Sequence, residues 1–136
     1  MATEMTRREA RESAIKLLFG YNFNGEESAE AFYALAVEEY ELPVNDFVHD
    51  LFFGVCAHAL ELDEKIAAKA SGWNFSRLAR MTLTILRLCS YELLFTDVPK
   101  EIAINEAIEL AKSYDSDTAP AFVNGVLNTI AKEKEV

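Results

Sequence analysis

Apolar residues recur at three- and four-residue steps along almost the whole chain, the spacing that gathers them on one side of an α-helix. From Thr6 to Tyr21 the stripe is Ala10, Ala14, Leu17, Leu18 and Tyr21. Thr6 stands where a capping residue belongs, with Glu9 three residues on in the capping-box position. Gly25 breaks the pattern, and Ser28 then caps a second predicted helix carrying Phe32, Leu35, Ala36 and Tyr40, which ends before Pro43. Asn45 or Asp46 opens a third, with Phe47, Val48, Leu51, Phe52, Val55, Ala59, Leu62 and Ile66 on its stripe and an expected end near Gly72. Arg77 to Phe95 is apolar nearly all round, as a helix contacted on several sides must be. Pro99 starts a fifth helix through Tyr114, because its missing N–H costs nothing in a first turn. After the polar stretch from Asp115 to Thr118, a sixth has Pro120 in its first turn and Phe122, Val126, Leu127 and Ile130 inward. No segment alternates with a period of two, so no strand is predicted. The fold class is all-α, a compact helical domain of about six or seven helices. Two three-helix subdomains are expected, an N-terminal half of about residues 1–72 and a C-terminal half of about 73–136.

Composition agrees with one real core: 136 residues, 51% of them hydrophobic, can bury roughly two-thirds of the unfolded surface. Charge changes the picture more. Asp and Glu number 23 against 13 Lys and Arg, a net −10, which excludes a protein that coats nucleic acid through its overall field. The distribution is uneven, however. The start of the chain holds Arg7, Arg8, Arg11 and Lys16 against Glu4, Glu9 and Glu12, whereas residues 24–42 hold six Glu and no cation. No uncharged apolar run reaches the roughly 18 residues a membrane span needs. Met1 to Arg11 has no apolar core of a signal peptide. Cys56 and Cys89 stand apart, in no metal-binding or disulfide pattern, so a reduced, cytoplasmic protein is expected.

Catalytic chemistry finds little support. His49 and His58 are nine residues apart, on opposite faces of one helix, and neither belongs to a Glu-x-x-His pair. Glu106 and Glu109, with Lys112 following, read as a solvated salt-bridge strip. Phosphate-binding glycine loops and the nucleophile elbow are missing, and no cofactor or metal is called for. Cys89 reads as inert packing. Arg87, inside the most apolar helix, is expected to meet a carboxylate, either Glu92 or an acid of the fifth helix, or else to reach the surface. Gly125, beside Asn124 within the sixth helix, is expected to allow tight packing against the central helix. The N-terminal cations are more informative. Arg7 and Arg11 share a helix face, Arg8 flanks them, Lys16 lies about a turn further on, and Phe19 sits near the same strip. Guanidinium groups bind phosphate oxygens in pairs, and an aromatic ring gives an unstacked base a platform. The plainer reading is an amphipathic helix whose solvated face is basic, interrupted by Glu9 and Glu12.

The ordered blocks Arg7-Arg8-Glu9-Ala10-Arg11-Glu12, Leu86-Arg87-Leu88, Tyr91-Glu92-Leu93-Leu94 and Asp97-Val98-Pro99 resemble the NusB family of bacterial transcription antitermination factors. The stretch from Val98 to Lys112 and that from Phe122 to Leu127 carry most of the resemblance. It implies an all-helical fold of two three-helix subdomains and a non-enzymatic role. It also implies pairing with the small-subunit ribosomal protein that acts as NusE. The pair binds boxA-type single-stranded RNA and assembles with other Nus factors on RNA polymerase, notably on rRNA operons. A homodimer of the free protein is compatible with it, and a membrane partner is not implied. By position, Arg7, Arg8 and Arg11 become the leading RNA contacts, with Lys16, Phe19, Phe122 and Asn124 secondary. Replacing Arg7 and Arg11 together by Ala is then expected to abolish boxA binding and leave the fold intact. Glu9 and Ala121 stand where the family often has a cation, which implies weaker intrinsic RNA affinity and more reliance on the ribosomal partner. The competing function is a helical protein–protein scaffold that reads no RNA sequence.

Overall fold

The structure, a computed structural model, describes residues 5–70 and 78–134. Among them the chain forms helices α1 (Arg7–Gly20), α2 (Ala29–Tyr40), α3 (Asp46–Lys69), α4 (Arg80–Phe95), α5 (Lys100–Tyr114) and α6 (Ala119–Lys134), and no strand. The starts are set by local chemistry. Thr6 Oγ1 accepts from Glu9 N at 3.0 Å while Glu9 Oε1 accepts from Thr6 N at 2.8 Å, so two donors left over at the helix start are satisfied reciprocally. Ser28 Oγ accepts from Ala31 N at 3.1 Å, and Asn45, rather than Asp46, caps α3 by accepting from Val48 N at 2.9 Å. At its other end α2 stops on Glu41, held at φ 49° and ψ 39°, a left-handed conformation that only Gly adopts without cost. The expected end of the third helix at Gly72 and the expected boundary between halves fall within residues 71–77, outside the described residues.

Contacts divide the chain into two compact units, Met1–Ala57 and His58–Val136, and the division falls inside α3. The first unit buries Ala10, Ala14, Ile15, Leu17 and Leu18 of α1, Ala36 of α2, and Val48, Leu51, Phe52 and Val55 of α3. Aromatic rings join its helices. Phe52 of α3 lies 6.1 Å from Phe32 and 5.3 Å from Tyr33 of α2, and 5.9 Å from Tyr21 at the end of α1. Such pairs add something like 1 kcal/mol each beyond their area. Gly20 permits this closure, since a Cβ there would stand 3.2 Å from the Phe32 ring.

In the second unit α4, α5 and α6 pack pairwise. α4 carries the widest buried surface, with Ile85, Leu86, Leu88, Cys89 and Leu93 all fully buried. Ala103, Ala107 and Ala111 make the inner side of α5 a row of small residues, and Val123, Leu127 and Ile130 fill the inner side of α6. Polar ties cross the unit. Arg87 meets a carboxylate as expected, and Asp63 of α3 is one such partner, an acid the sequence pattern did not single out. Its Nε and Nη2 donate to the two Asp63 oxygens at 2.7 and 2.8 Å, the fork-to-fork geometry that makes Arg–carboxylate pairs strong. Lys65 and Lys69 reach Glu133 of α6 at 3.0 and 3.4 Å, and Thr82 Oγ1 donates to Asp115 at 2.6 Å.

A candidate nucleic-acid interface on α1

Helical geometry sorts the N-terminal cations. Arg11 lies three, four and seven residues before Ala14, Ile15 and Leu18, so it falls within the buried stripe, and it is only 3% exposed. A charge at that depth needs partners, and one is the ring of Phe47 in the first turn of α3, 5.4 Å from the Arg11 guanidinium carbon. Arg7, one turn earlier on the same stripe, reaches the same ring at 3.9 Å while remaining exposed. Phe47 therefore meets two guanidiniums, one exposed and one buried. Nothing in the one-dimensional pattern distinguishes this ring from its core neighbours on α3. Arg11 shares the face of Arg7, as the spacing predicts, but at 3% exposure it lies below the surface where Arg7 is open to solvent. The legible sign was its register with Ile15 and Leu18.

Arg8, Lys16 and Phe19 are exposed along the outer side of α1. Eleven residues separate Arg8 from Phe19, close to three full turns, so the two lie nearly in line. Lys16 is nine residues from Arg7 and hence on the opposite side of the helix from it. Glu9, which interrupts the basic run, is the capping-box carboxylate. Donation from the Thr6 backbone and hydroxyl holds its carboxyl below the usual carboxylate range. Its charge is thus committed to the helix start, where the macrodipole favours an anion.

Phe122 and Asn124 belong to the second unit, on α6. Phe122 is half-buried and lines a cavity of about 250 Å³ together with Leu78, Thr82, Thr118 and Ala119. Asn124 is exposed, and its backbone and side-chain oxygens both accept from Asn128 Nδ2 at 2.8 Å. Gly125 does not pack against the central helix: it is exposed, and a Cβ added to it would meet nothing within 4 Å. Its cost of close to 1 kcal/mol relative to Ala therefore has no compensation among the described residues.

The two histidines have aromatic neighbours. His49 lies 4.5 Å from the Phe53 ring and 5.6 Å from Tyr33, while His58 stacks on Phe95 at 4.0 Å and its Nδ1 is 3.1 Å from Glu61. Lys112 reaches Glu109 at 3.5 Å, the salt-bridge strip the spacing predicts. No helix of the described residues is long and apolar enough to cross a membrane.

The profile of the NusB family matches residues 8–132. The transcription antitermination protein NusB of Clostridium novyi (strain NT) is 40% identical over 132 residues, covering 94% of this chain and 99% of the relative. Among solved structures, T. maritima NusB superimposes with a TM-score of 0.82 at 33% identity, over 96% of this chain and 94% of that one. A crystal structure of antitermination factors NusB and NusE in complex with dsRNA is similar at a TM-score of 0.77 and 30% identity, over 93% and 96% of the two chains.

Proposed function

The chain belongs to the NusB family, and from that premise we propose that α1 supplies its first contacts to RNA, through Arg7, Arg8, Lys16 and Phe19. As a transcription antitermination factor it binds RNA together with NusE, a role in which the protein binds and positions rather than transforms a substrate. The finer reading is single-stranded boxA-type RNA, taken up by the protein in the cytoplasm and carried with NusE and other Nus factors to RNA polymerase.

The observation that carries the reading is Arg7, fixed 3.9 Å over Phe47 yet open to solvent. A guanidinium already held in place loses little side-chain freedom when it meets a phosphate, so more of the contact energy appears as affinity. Arg8 adds a second fork, and the exposed ring of Phe19 offers a face on which a base can stack. Arg11, buried against the same Phe47 ring, helps to fix the ring that carries Arg7. Phe122 and Asn124 are secondary contacts on the second unit. The acidic body repels RNA that lacks the right arrangement and attracts a basic ribosomal protein, which turns net charge into selectivity.

Replacing Arg7 and Arg11 together does not isolate the RNA contact, because removing a buried cation disturbs the first unit as well. Arg7→Ala with Arg8→Ala is the cleaner test. Binding of labelled boxA RNA should fall at least thirtyfold, about 1 kcal/mol per lost phosphate contact, while the melting temperature stays within a degree or two. Each protein is titrated with boxA and with a scrambled RNA, in the presence and absence of the ribosomal partner. Equal affinity for the two RNAs would favour the protein–protein scaffold instead. An unchanged boxA affinity in the double variant would remove α1 from the interface.

A further inference from the structure

Gly125 sits in the middle of α6 where any other helix-forming residue would fit, because the space a side chain would take is open. Neither a positive φ nor a close neighbour within the chain accounts for it. A helical glycine with no such reason is a place where something outside the chain comes close to the backbone.

The surroundings say what that is. Ala121, Gly125, Asn128 and Lys132 follow one another at three- and four-residue steps on the exposed side of α6, with Asn124 and Thr129 beside Gly125. No Asp or Glu occurs between Asp117 and Glu133, in a chain whose net charge is −10. The flanking groups are amides and a hydroxyl rather than the aromatic and aliphatic anchors that centre protein interfaces. They are also ordered: Asn128 Nδ2 donates to both oxygens of Asn124 at 2.8 Å, and Thr129 Oγ1 donates to the Gly125 carbonyl at 3.0 Å. Open space over Gly125, beside an ordered Asn124 amide and on a stretch of helix that itself carries no acid, suits a sugar–phosphate backbone.

We propose that Gly125 is the point of closest approach of bound RNA to α6, its missing side chain letting the sugar–phosphate backbone come within reach of the side-chain amide nitrogen of Asn124, whose oxygen Asn128 holds in place. This rests on the RNA-binding reading above and assigns to it a residue chosen for its lack of a side chain. A phosphate or ribose stacked against the helix at this point excludes a side chain of any size.

Gly125→Leu tests it, with Gly125→Ala as the milder step and Ser113→Leu, exposed on α5, as a control for an added surface leucine. In the free protein Gly125→Leu should raise the melting temperature by about 3 °C, because Leu is the better helix former and meets no neighbour. Its affinity for labelled boxA RNA, read by fluorescence anisotropy, should nevertheless fall about tenfold or more, with Gly125→Ala between and Ser113→Leu unchanged. Wild-type affinity in Gly125→Leu would overturn the proposal, as would a lowered melting temperature, which would mean the space is not open. Normal RNA affinity with loss of the ribosomal partner would assign the notch to a protein and overturn it too. Should Gly125→Leu lose RNA while Arg7→Ala with Arg8→Ala does not, the arginine reading fails and this one stands; the opposite pattern does the reverse.

Discussion

Asp63 and Arg87 show how an ion pair inside a helical unit is made tolerable. Their side chains are 25% and 14% exposed, and the two hydrogen bonds satisfy both carboxylate oxygens. Breaking such a pair leaves a desolvated charge behind, so Asp63→Ala should destabilise the protein by about 2 kcal/mol, discounted for partial exposure, as read by chemical denaturation. Asp63→Leu combined with Arg87→Met should restore much of the loss. Glu133 illustrates the pH side of the same physics. The hydrogen bond from Lys65, helped by Lys69, lowers its carboxyl below the ordinary value of 4.5. Its stabilisation is therefore complete above that value and is lost as the pH falls through the lowered one. Glu133→Gln should melt below wild type at pH 7, and the gap should close as the pH drops below 4.5 in a series of thermal melts. On α1, two arginines of one stripe meet the same Phe47 ring at different depths, Arg7 exposed and Arg11 buried.

The helices follow from caps and stripes, but their ends differ in quality. α1 starts on a complete capping box, and α2 ends on a strained residue. Glu41 adopts the left-handed conformation where a helix ordinarily has glycine. Glu41→Gly relieves the Cβ clash, partly offset by the added freedom of the unfolded chain. A net gain of about 0.5 kcal/mol is expected, measurable as a rise of about 2 °C in melting temperature. α4 explains its own composition: a helix met by α5 and α6 and tied to α3 through Arg87 must be apolar over most of its circumference. Its buried Thr84 turns inward, and the hydroxyl donates to the Arg80 carbonyl at 2.8 Å.

For the molecule as a whole, charge sets the terms of binding. Arg7, Arg8 and Lys16 of α1 are exposed, and the proposed RNA reading has these three cations meet phosphates. For single-stranded RNA that number gives a slope of about −2 in log affinity against log salt, so affinity should fall about twentyfold between 50 and 200 mM salt. A gel-shift series with boxA RNA and the ribosomal partner measures it. A slope near zero would mean that phosphate contacts contribute nothing, and one twice as steep would require cations beyond α1. The modest electrostatic share fits a chain of net −10, which must gain its affinity from stacking and base edges as much as from phosphates.

Local chemistry along the chain was enough to determine the helices, because caps such as Thr6 and Ser28 and the 3.6-residue stripe act within a few residues of themselves. The same was true of the basic start and of its likeness to the NusB family, which depend on residue type and order. Depth and partnership were decided only by the tertiary structure. Arg11 is buried because its register carries it into the packed stripe of α1 and toward Phe47, a residue 36 positions away in the chain. Arg87 meets Asp63 because packing brings α3, 24 residues earlier in the chain, within reach of its fork. Gly125 faces open space although its neighbours Val123 and Val126 are core. Each of these depends on which face of a helix meets another, a relation between distant segments that periodicity constrains but does not specify.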